Sequence, residues 1–236
     1  MVQLSVVLPC YKDAGHLQEG LRQIQVELEK ARISSEIIIV NDCSPDDLDV
    51  VAKKIIQSWS GPTEFKYISL DKNLGRGGAF MAGTAVSSGE ILALIDIDLE
   101  ISPRYLSEGI KLISQENLDV VVGQRNFVQQ SLIRKILSWG YRFLVSLILQ
   151  TPWSLDTASG FKLFKRDAIK AFEKTPLNQG WFWDTEIVIR ILDLKKKVGS
   201  LKCDYQRKIT KSSTVRIFAD PISCLYCLIT FALFRR

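Results

Sequence analysis

Along the first half of the chain, short apolar runs alternate with longer amphipathic stretches. QLSVVLP, EIIIV, FKYISL, ILALIDI and LDVVVG have the length and β-branched content of strands. Between them, LQEGLRQIQVELEKA, LDVVAKKIIQSW, AFMAGTAVSS and PRYLSEGIKLIS place apolar residues at helical spacing. Strands that alternate with helices of this length imply right-handed crossovers, so the expected class is α/β, with a mostly parallel sheet and helices on both faces. Ligands of such sheets bind beyond the carboxyl ends of the strands. The polar and glycine-rich clusters fall there: Pro9 to Asp13, Asn41 to Asp47, Asp71 to Gly78, Asp96 to Glu100 and Gly123 to Arg125.

The second half has a different texture. SLIRKILSWGYRFLVSLILQ (131–150) is a strongly apolar helical pattern carrying Arg134, Lys135 and Arg142, which either lies on a membrane or packs in the core. GFKLFKRDAI reads as a strand or turn leading to a helix, WFWDTEIVIRILDL as a helix and VGSLKCDY as a late strand. Asp220 and Pro221 are an N-cap and first-turn pair opening ISCLYCLITFALF. A helix from Pro221 to Phe234 rises only about 21 Å, short of a ~30 Å hydrocarbon core, so it is expected to lie in the interface rather than to span. The expected organisation is a single domain over 1–216 with an amphipathic, interfacial C-terminal helix in 217–236.

A hydrophobic content of 47% over 236 residues supports a real core and excludes disorder. The net charge of +5 is unevenly spread. Lys195, Lys196, Lys197, Lys202, Arg207, Lys208, Lys211 and Arg216 crowd a segment whose one acid is Asp204. Such a patch suits an anionic membrane surface or phosphorylated substrates; nucleic acid is not expected, because no recognised module accompanies it. Five cysteines, of which only Cys224 and Cys227 are closely spaced, give neither a disulfide framework nor a four-ligand zinc pattern, and that pair reads as small buried thiols. MVQLSVVLP runs straight into a strand without a charged leader, which predicts a cytoplasmic protein.

The chemistry concentrates in LALIDIDLE (92–100). If the strand continues through it, period-2 alternation points Asp96, Asp98 and Glu100 at one face, where three like charges repel. Something positive should sit among them. NLGRGGAFMAGT lacks the lysine of a Walker loop and the dinucleotide spacing, which disfavours kinases, GTPases and NAD enzymes. His16 is the single histidine, so His-based triads are absent. What remains is a hard divalent cation, Mg²⁺ or Mn²⁺, held by carboxylates and completed by substrate phosphates.

SVVLPCYKD, IIIVNDCSPDD, KNLGRGGAFMAG, ALIDIDLEISP, VVGQR and DTASGFKLFKRDAI resemble the successive blocks of family 2 glycosyltransferases, in the family's order over roughly residues 3–190. The branch they resemble is that of the polyprenyl-phosphate (dolichol-phosphate) mannosyl- and glucosyltransferases. The resemblance implies a GT-A fold, a nucleotide-diphosphate sugar donor, a divalent cation and inversion at the anomeric carbon. It assigns Pro9, Tyr11, Asp13 and Asp42 to the base and ribose, and Asn73 and Gly75 to the loop passing the donor. Asp96 and Asp98 match the DxD motif, with Asp98 the more direct metal ligand and Glu100 a further oxygen ligand. Arg125, with Arg134, would hold phosphates, since guanidinium forks suit phosphate oxygens. Asp156 to Phe161 and Glu186 match the acceptor side, where a structural salt bridge is the alternative for Asp184 or Glu186. Lys208, Lys211, Arg216, Ser212 and Ser213 resemble a basic segment that closes over the diphosphate.

Five positions depart from the family's usual residues: Lys12 stands for Asn, Asp13 for Glu, Cys43 for Gly, Glu100 for Gln and Gln124 for Ser. The reading is an inverting, metal-dependent hexosyltransferase, peripherally membrane-associated, with UDP-glucose placed ahead of GDP-mannose as donor and polyprenyl phosphate as acceptor. Alternatives are a relative using a hydroxyl acceptor and a non-catalytic nucleotide-sugar-binding or membrane-scaffold protein. A membrane-protein partner or homo-oligomer is compatible with either.

Overall fold

The structure is a computed structural model that describes residues 2–127, 132–175, 177–178, 180–206 and 219–235. Strands β1 (Leu4–Cys10), β2 (Ser35–Asn41), β3 (Glu64–Ser69), β4 (Ile91–Leu94), β5 (Val120–Phe127), β6 (Lys162–Lys165) and β7 (Val198–Tyr205) form one sheet in the order β3-β2-β1-β4-β6-β5-β7. β6 is antiparallel to both β4 and β5, and the other pairings are parallel. The connecting helices are α1 (Ala14–Lys30), α2 (Leu48–Ser58), α3 (Gly75–Val86), α4 (Tyr105–Gln115), α5 (Leu132–Leu149), α6 (Arg166–Lys170), α7 (Trp183–Asp193) and α8 (Ala219–Phe234).

The alternation of strands and helices works as the pattern requires. Inner strands are apolar on both faces because both are covered: Val6, Leu8, Ile37 and Ile39 join Leu17, Leu21 and Ile24 of α1 on one side, while Val7, Ile38 and Val40 join Ala79 and Phe80 of α3 on the other. α3 comes very near α7, and a Cβ on Gly77 would stand 2.2 Å from Trp183 Cγ. A third cluster joins Val145 and Leu149 of α5, Phe182 and Ile189, and Leu228 and Phe231 of α8. The C-terminal helix therefore packs on the domain with one face.

Several boundaries differ from the sequence pattern. β4 stops at Leu94, so Asp96, Asp98 and Glu100 do not ride on a strand. Chain beyond Leu94 turns, with Leu99 N–H donating to Asp96 O at 3.0 Å and Leu99 in the left-handed region at φ 51°. The alternation survives as burial, because Ile95, Ile97, Leu99 and Ile101 are all buried in one cluster while the acids between them are half-buried. α3 begins at Gly75 rather than after the glycines, and β5 runs on through Arg125 to Phe127 because β7 pairs with it over its whole length. The 16 residues of α8 rise about 24 Å, and no described helix is long and apolar enough to cross a membrane.

β1 lies between β2 and β4, so the chain leaves it first to one side and later to the other. The crevice at the carboxyl ends of β1 and β4 is the topological switch point where a ligand is expected. Being antiparallel, β6 starts at that same edge, with Lys162 opposite Leu94. Residues 156–161 are thereby delivered beside the acids that follow β4.

Candidate functional site

Three rim loops carry non-glycine residues in the left-handed region: Lys12 (φ 59°) after β1, Cys43 (φ 54°) after β2 and Leu99 after β4. Such backbone favours Gly, and after it Asn. Two of the five departures from the family's usual residues, Lys12 for Asn and Cys43 for Gly, thus fall where the missing residue would have been at ease.

The loops are tied by their own polar side chains. Lys12 N–H donates to Ser44 Oγ at 2.7 Å, Ser44 Oγ–H to Asp46 Oδ1 at 2.6 Å, and Ala14 N–H to Asp46 Oδ2 at 3.0 Å. Buried Asp13 accepts the Tyr11 N–H at 3.0 Å. Asp42, 3% exposed, accepts the Leu74 N–H at 2.6 Å just ahead of α3. Burial pushes its carboxyl up from the ordinary value, and the amides of Leu74 and Gly75 offset part of that. Asn73 donates to Asp42 O at 3.1 Å and accepts from Gly75 N–H at 3.1 Å. Asp13, Asp42 and Asn73 therefore build the loops, leaving Pro9, Tyr11 and Gly75 as half-buried surface on the rim.

The positive charge demanded by the acids is Arg76, which neither the apolar pattern nor the family's blocks single out. Its Nη2 lies 2.8 Å from Asp96 Oδ1 and donates to Gly160 O at 2.9 Å, and its Nη1 stands 3.2 Å from Asp184 Oδ2. Asp184 in turn meets Lys162 Nζ at 2.5 Å. Lys162 is fully buried, and burial lowers its pKa from the ordinary lysine value against the pull of Asp184. The signal for Arg76 was present in NLGRGG, a cation inside a glycine-rich turn. Gly160 permits the close approach: a Cβ there would stand 2.3 Å from Asp96 Oδ2 and 2.5 Å from Arg76 Nη2.

The remaining acids diverge. Asp98 Oδ1 accepts the Glu100 N–H at 3.4 Å, while Glu100 Oε2 accepts a hydrogen bond from the Tyr205 hydroxyl. Burial, then Glu100, pushes that phenol above its usual range. Among the described residues no group of three or more His, Cys, Asp or Glu side chains is set to hold a metal ion. The expected trio of Asp96, Asp98 and Glu100 is thus not gathered as one ligand set, since Glu100 is drawn to the end of β7. Asp96 and Asp98 still offer the one or two carboxylates that suit Mg²⁺ or Mn²⁺ when phosphate oxygens complete the shell. To that extent the donor set fits the ion.

Arg125 projects from β5 and forks onto Asp156, Nε at 2.7 Å and Nη2 at 2.9 Å, with its guanidinium 5.5 Å from the Phe127 ring and 6.0 Å from that of Tyr205. Arg142 of α5 reaches the same carboxylate at 3.0 Å and is itself buried, its Nε without a hydrogen-bond partner. Burial pushes Asp156 up, but the Arg125 charge and fork, with Arg142, outweigh it and hold the carboxyl below its ordinary value. Burial likewise opposes the Arg125 charge, and Asp156 raises its pKa above the usual arginine range regardless. Two guanidinium groups against one carboxylate leave an excess of positive charge. In the sequence Arg142 is marked only as a charge on an apolar helical stretch.

Glu186 is turned to a different partner set: its Oε1 accepts from Arg190 Nε and its Oε2 from Asn178 N–H, both at 2.7 Å, and it is 5% exposed. That is the salt-bridge alternative named for it. Asp184 also forms salt bridges, but within the rim network. The side chain of Arg134, and the whole of Lys208, Lys211, Ser212, Ser213 and Arg216, lie outside the described residues. Cys224 and Cys227 are half-buried and free of disulfides.

Residues 5–172 match the family described as Glycosyl transferase family 2. Among curated relatives, Glycosyltransferase AglD of Haloferax volcanii is 28% identical over 91% of this chain and 35% of its own length. Dolichyl-phosphate beta-glucosyltransferase ALG5D of Trichomonas vaginalis is 30% identical over 86% of this chain and 66% of its own. The Homo sapiens dolichyl-phosphate beta-glucosyltransferase is 30% identical over 79% and 62%. This chain thus spans between a third and two thirds of those relatives. In fold it is similar to glucosyl-3-phosphoglycerate synthase of Mycobacterium tuberculosis, solved with Mn²⁺, UDP-glucose and phosphoglyceric acid, at TM-score 0.72 and 17% identity, over 98% of this chain and 79% of that one. Mannosyl-3-phosphoglycerate synthase of Rubrobacter xylanophilus aligns at TM-score 0.70 and 18% identity, over 100% and 74%.

Proposed function

Because the chain belongs to glycosyl transferase family 2, we propose that it transfers a hexose, glucose ahead of mannose, from a nucleotide-diphosphate sugar to a polyprenyl phosphate at the cytoplasmic face of a membrane, with inversion at the anomeric carbon. The observation that carries this reading is the placement of Arg142. It lies on the inner face of α5, sharing Asp156 with Arg125, while the outer face of the same helix exposes Ile136, Trp139, Phe143 and Leu147. A phosphate presented by a lipid anchor would meet positive charge close to where its chain meets apolar surface. α8 adds Ile222, Tyr226, Ile229 and Leu233, also exposed, so both helices suit an interfacial position with aromatic residues at headgroup depth.

The chemistry asked of the chain is modest. A lipid phosphate monoester is already anionic near pH 7, its second pKa being about 6, so its oxygen attacks the anomeric carbon without a protein base. A C–O bond forms on one face as the bond to the diphosphate breaks on the other. Arg125 and Arg142 orient the nucleophile and balance its charge. The switch-point rim, with Pro9, Tyr11 and Gly75 on it, receives the nucleotide. A divalent cation held by Asp96 and Asp98 would supply positive charge to the departing diphosphate.

The test is transfer of labelled hexose from UDP-glucose, UDP-N-acetylglucosamine or GDP-mannose to polyprenyl phosphate in detergent, with Mn²⁺ or with EDTA. Metal-dependent glycolipid from UDP-glucose is expected. Hydrolysis of donor without glycolipid would move the acceptor to a hydroxyl compound, and inert donors would favour a binding or scaffold role. Replacing Trp139 and Phe143 together by serine should release the protein from anionic liposomes while leaving its fold intact, since each aromatic contributes on the order of 2 kcal/mol when buried. Undiminished liposome binding would remove α5 from the membrane contact.

A further inference from the structure

Asp96 stands at the outer end of a chain of alternating charges. Lys162 Nζ meets Asp184 at 2.5 Å, Asp184 meets Arg76 at 3.2 Å, and Arg76 meets Asp96 at 2.8 Å. Exposure rises along it: the Lys162 side chain is 0% exposed, that of Asp184 2%, of Arg76 12% and of Asp96 44%. The inner pair cannot exchange its partners for water without leaving buried charges uncompensated. The outer link faces solvent and is the one able to open. Gly160 fits this arrangement, since its missing Cβ leaves the space in which Arg76 and Asp96 meet.

We propose that Arg76 is a cation gate: a positioning residue, anchored by the buried Lys162–Asp184 pair, that occupies Asp96 in the unliganded enzyme and competes with the divalent cation for that carboxylate. The proposal rests on the metal part of the reading above. Arg76 would have to give up Asp96 and keep Asp184 and Gly160 O for that carboxylate to hold an ion, so a cation would be held well only together with a diphosphate that adds further oxygen ligands. A free divalent cation is thereby kept from binding tightly without its donor.

Mn²⁺ binding, read as the loss of the free-ion electron paramagnetic resonance signal, tests this without turnover. It is measured without UDP, and with UDP as the loss beyond that caused by UDP alone, on wild type, Arg76→Gln, Arg76→Lys, and Arg76→Gln combined with Asp96→Asn. In the absence of UDP, Arg76→Gln should bind Mn²⁺ roughly tenfold or more tightly, as removal of a unit charge within a few ångström implies. Arg76→Lys keeps the charge but cannot fork to Asp96, Asp184 and Gly160 O together. It should tighten binding severalfold, and as the conservative change it keeps the test open if the glutamine variant melts early. Adding Asp96→Asn should erase the gain, which locates the competition at that carboxylate. UDP should narrow the gap between wild type and both single variants.

If Arg76→Lys binds Mn²⁺ like wild type while Arg76→Gln binds more tightly, only the general field matters and the gate is wrong. Equal binding by all the proteins, with Mn²⁺ clearly taken up, also overturns the gate and leaves the proposed function standing. If wild type with UDP takes up no Mn²⁺, the metal assignment itself falls, and the gate with it.

Discussion

Asp156→Asn removes the one carboxylate shared by two arginines, and its cost can be worked from the geometry. The wild-type group is 3% exposed, holds Arg125 at 2.7 and 2.9 Å, and sits 3.0 Å from Arg142. Breaking a buried ion pair by neutralising one partner costs about 3–5 kcal/mol. The lower end applies here, because the Arg125 side chain is 19% exposed and can gain water, and the amide oxygen keeps one acceptor. About 3 kcal/mol in a chain of this length corresponds to roughly 6–12 °C in melting temperature. The assay is thermal unfolding followed by circular dichroism at pH 7 and at steps down to pH 3.

Because the folded-state pKa of Asp156 is depressed, its contribution is fully present above the unfolded value and is lost as the pH falls through the folded one. The gap between wild type and variant should therefore narrow as the pH falls below the ordinary carboxyl value of 3.8. Phosphate should also raise the melting temperature of the variant more than that of wild type, since two guanidinium groups then lack their counter-charge. A variant that melts within 2 °C of wild type at pH 7, or one whose deficit is the same at every pH, would refute the charge argument.

Gly160→Ala should lower hexosyl transfer by tenfold or more while leaving the melting temperature nearly unchanged. The added Cβ would meet the ends of the Asp96 and Arg76 side chains, which can move; the transfer assay and a melt on the same preparation decide it. Cys43→Gly relieves a left-handed residue at φ 54° and should stabilise the fold by about 1 kcal/mol, measured by urea denaturation. Glu36, buried at the opposite end of β2 between Ser5, Ser88 and Lys66, shows a further acid dependence. Burial pushes its carboxyl up, but the Lys66 contact and the Ser5 and Ser88 hydrogen bonds hold it down at about 2. The stability it contributes is present above about pH 4.5 and is lost as the pH falls toward 2, so Glu36→Gln should be less stable than wild type at pH 7 and converge with it in acid.

The sequence by itself determined the class of fold and the edge at which the site lies. Apolar periodicities of 2 and 3.6 are local properties, and a parallel sheet follows from their alternation, so the five rim clusters could be placed before any contact was known. Asp96, Asp98 and Arg125 were legible for the same reason, each standing at or next to a predicted strand end, whereas Asp156 was marked only by the resemblance to the family's blocks. Periodicity was silent on direction and on partners. That β6 runs antiparallel, carrying Gly160 and Lys162 to the edge beside β4, depends on pairing between segments about seventy residues apart. That Asp42 and Asn73 tie the loop after β2 to the one before α3, and that Arg76 and Arg142 join Arg125 and Lys162 among the cations of the candidate site, are matters of long-range side-chain contact. Hydrophobic burial is set residue by residue and is written in the pattern; the pairing of charges is settled only when distant segments share a low-dielectric place, and that place exists only in the tertiary structure.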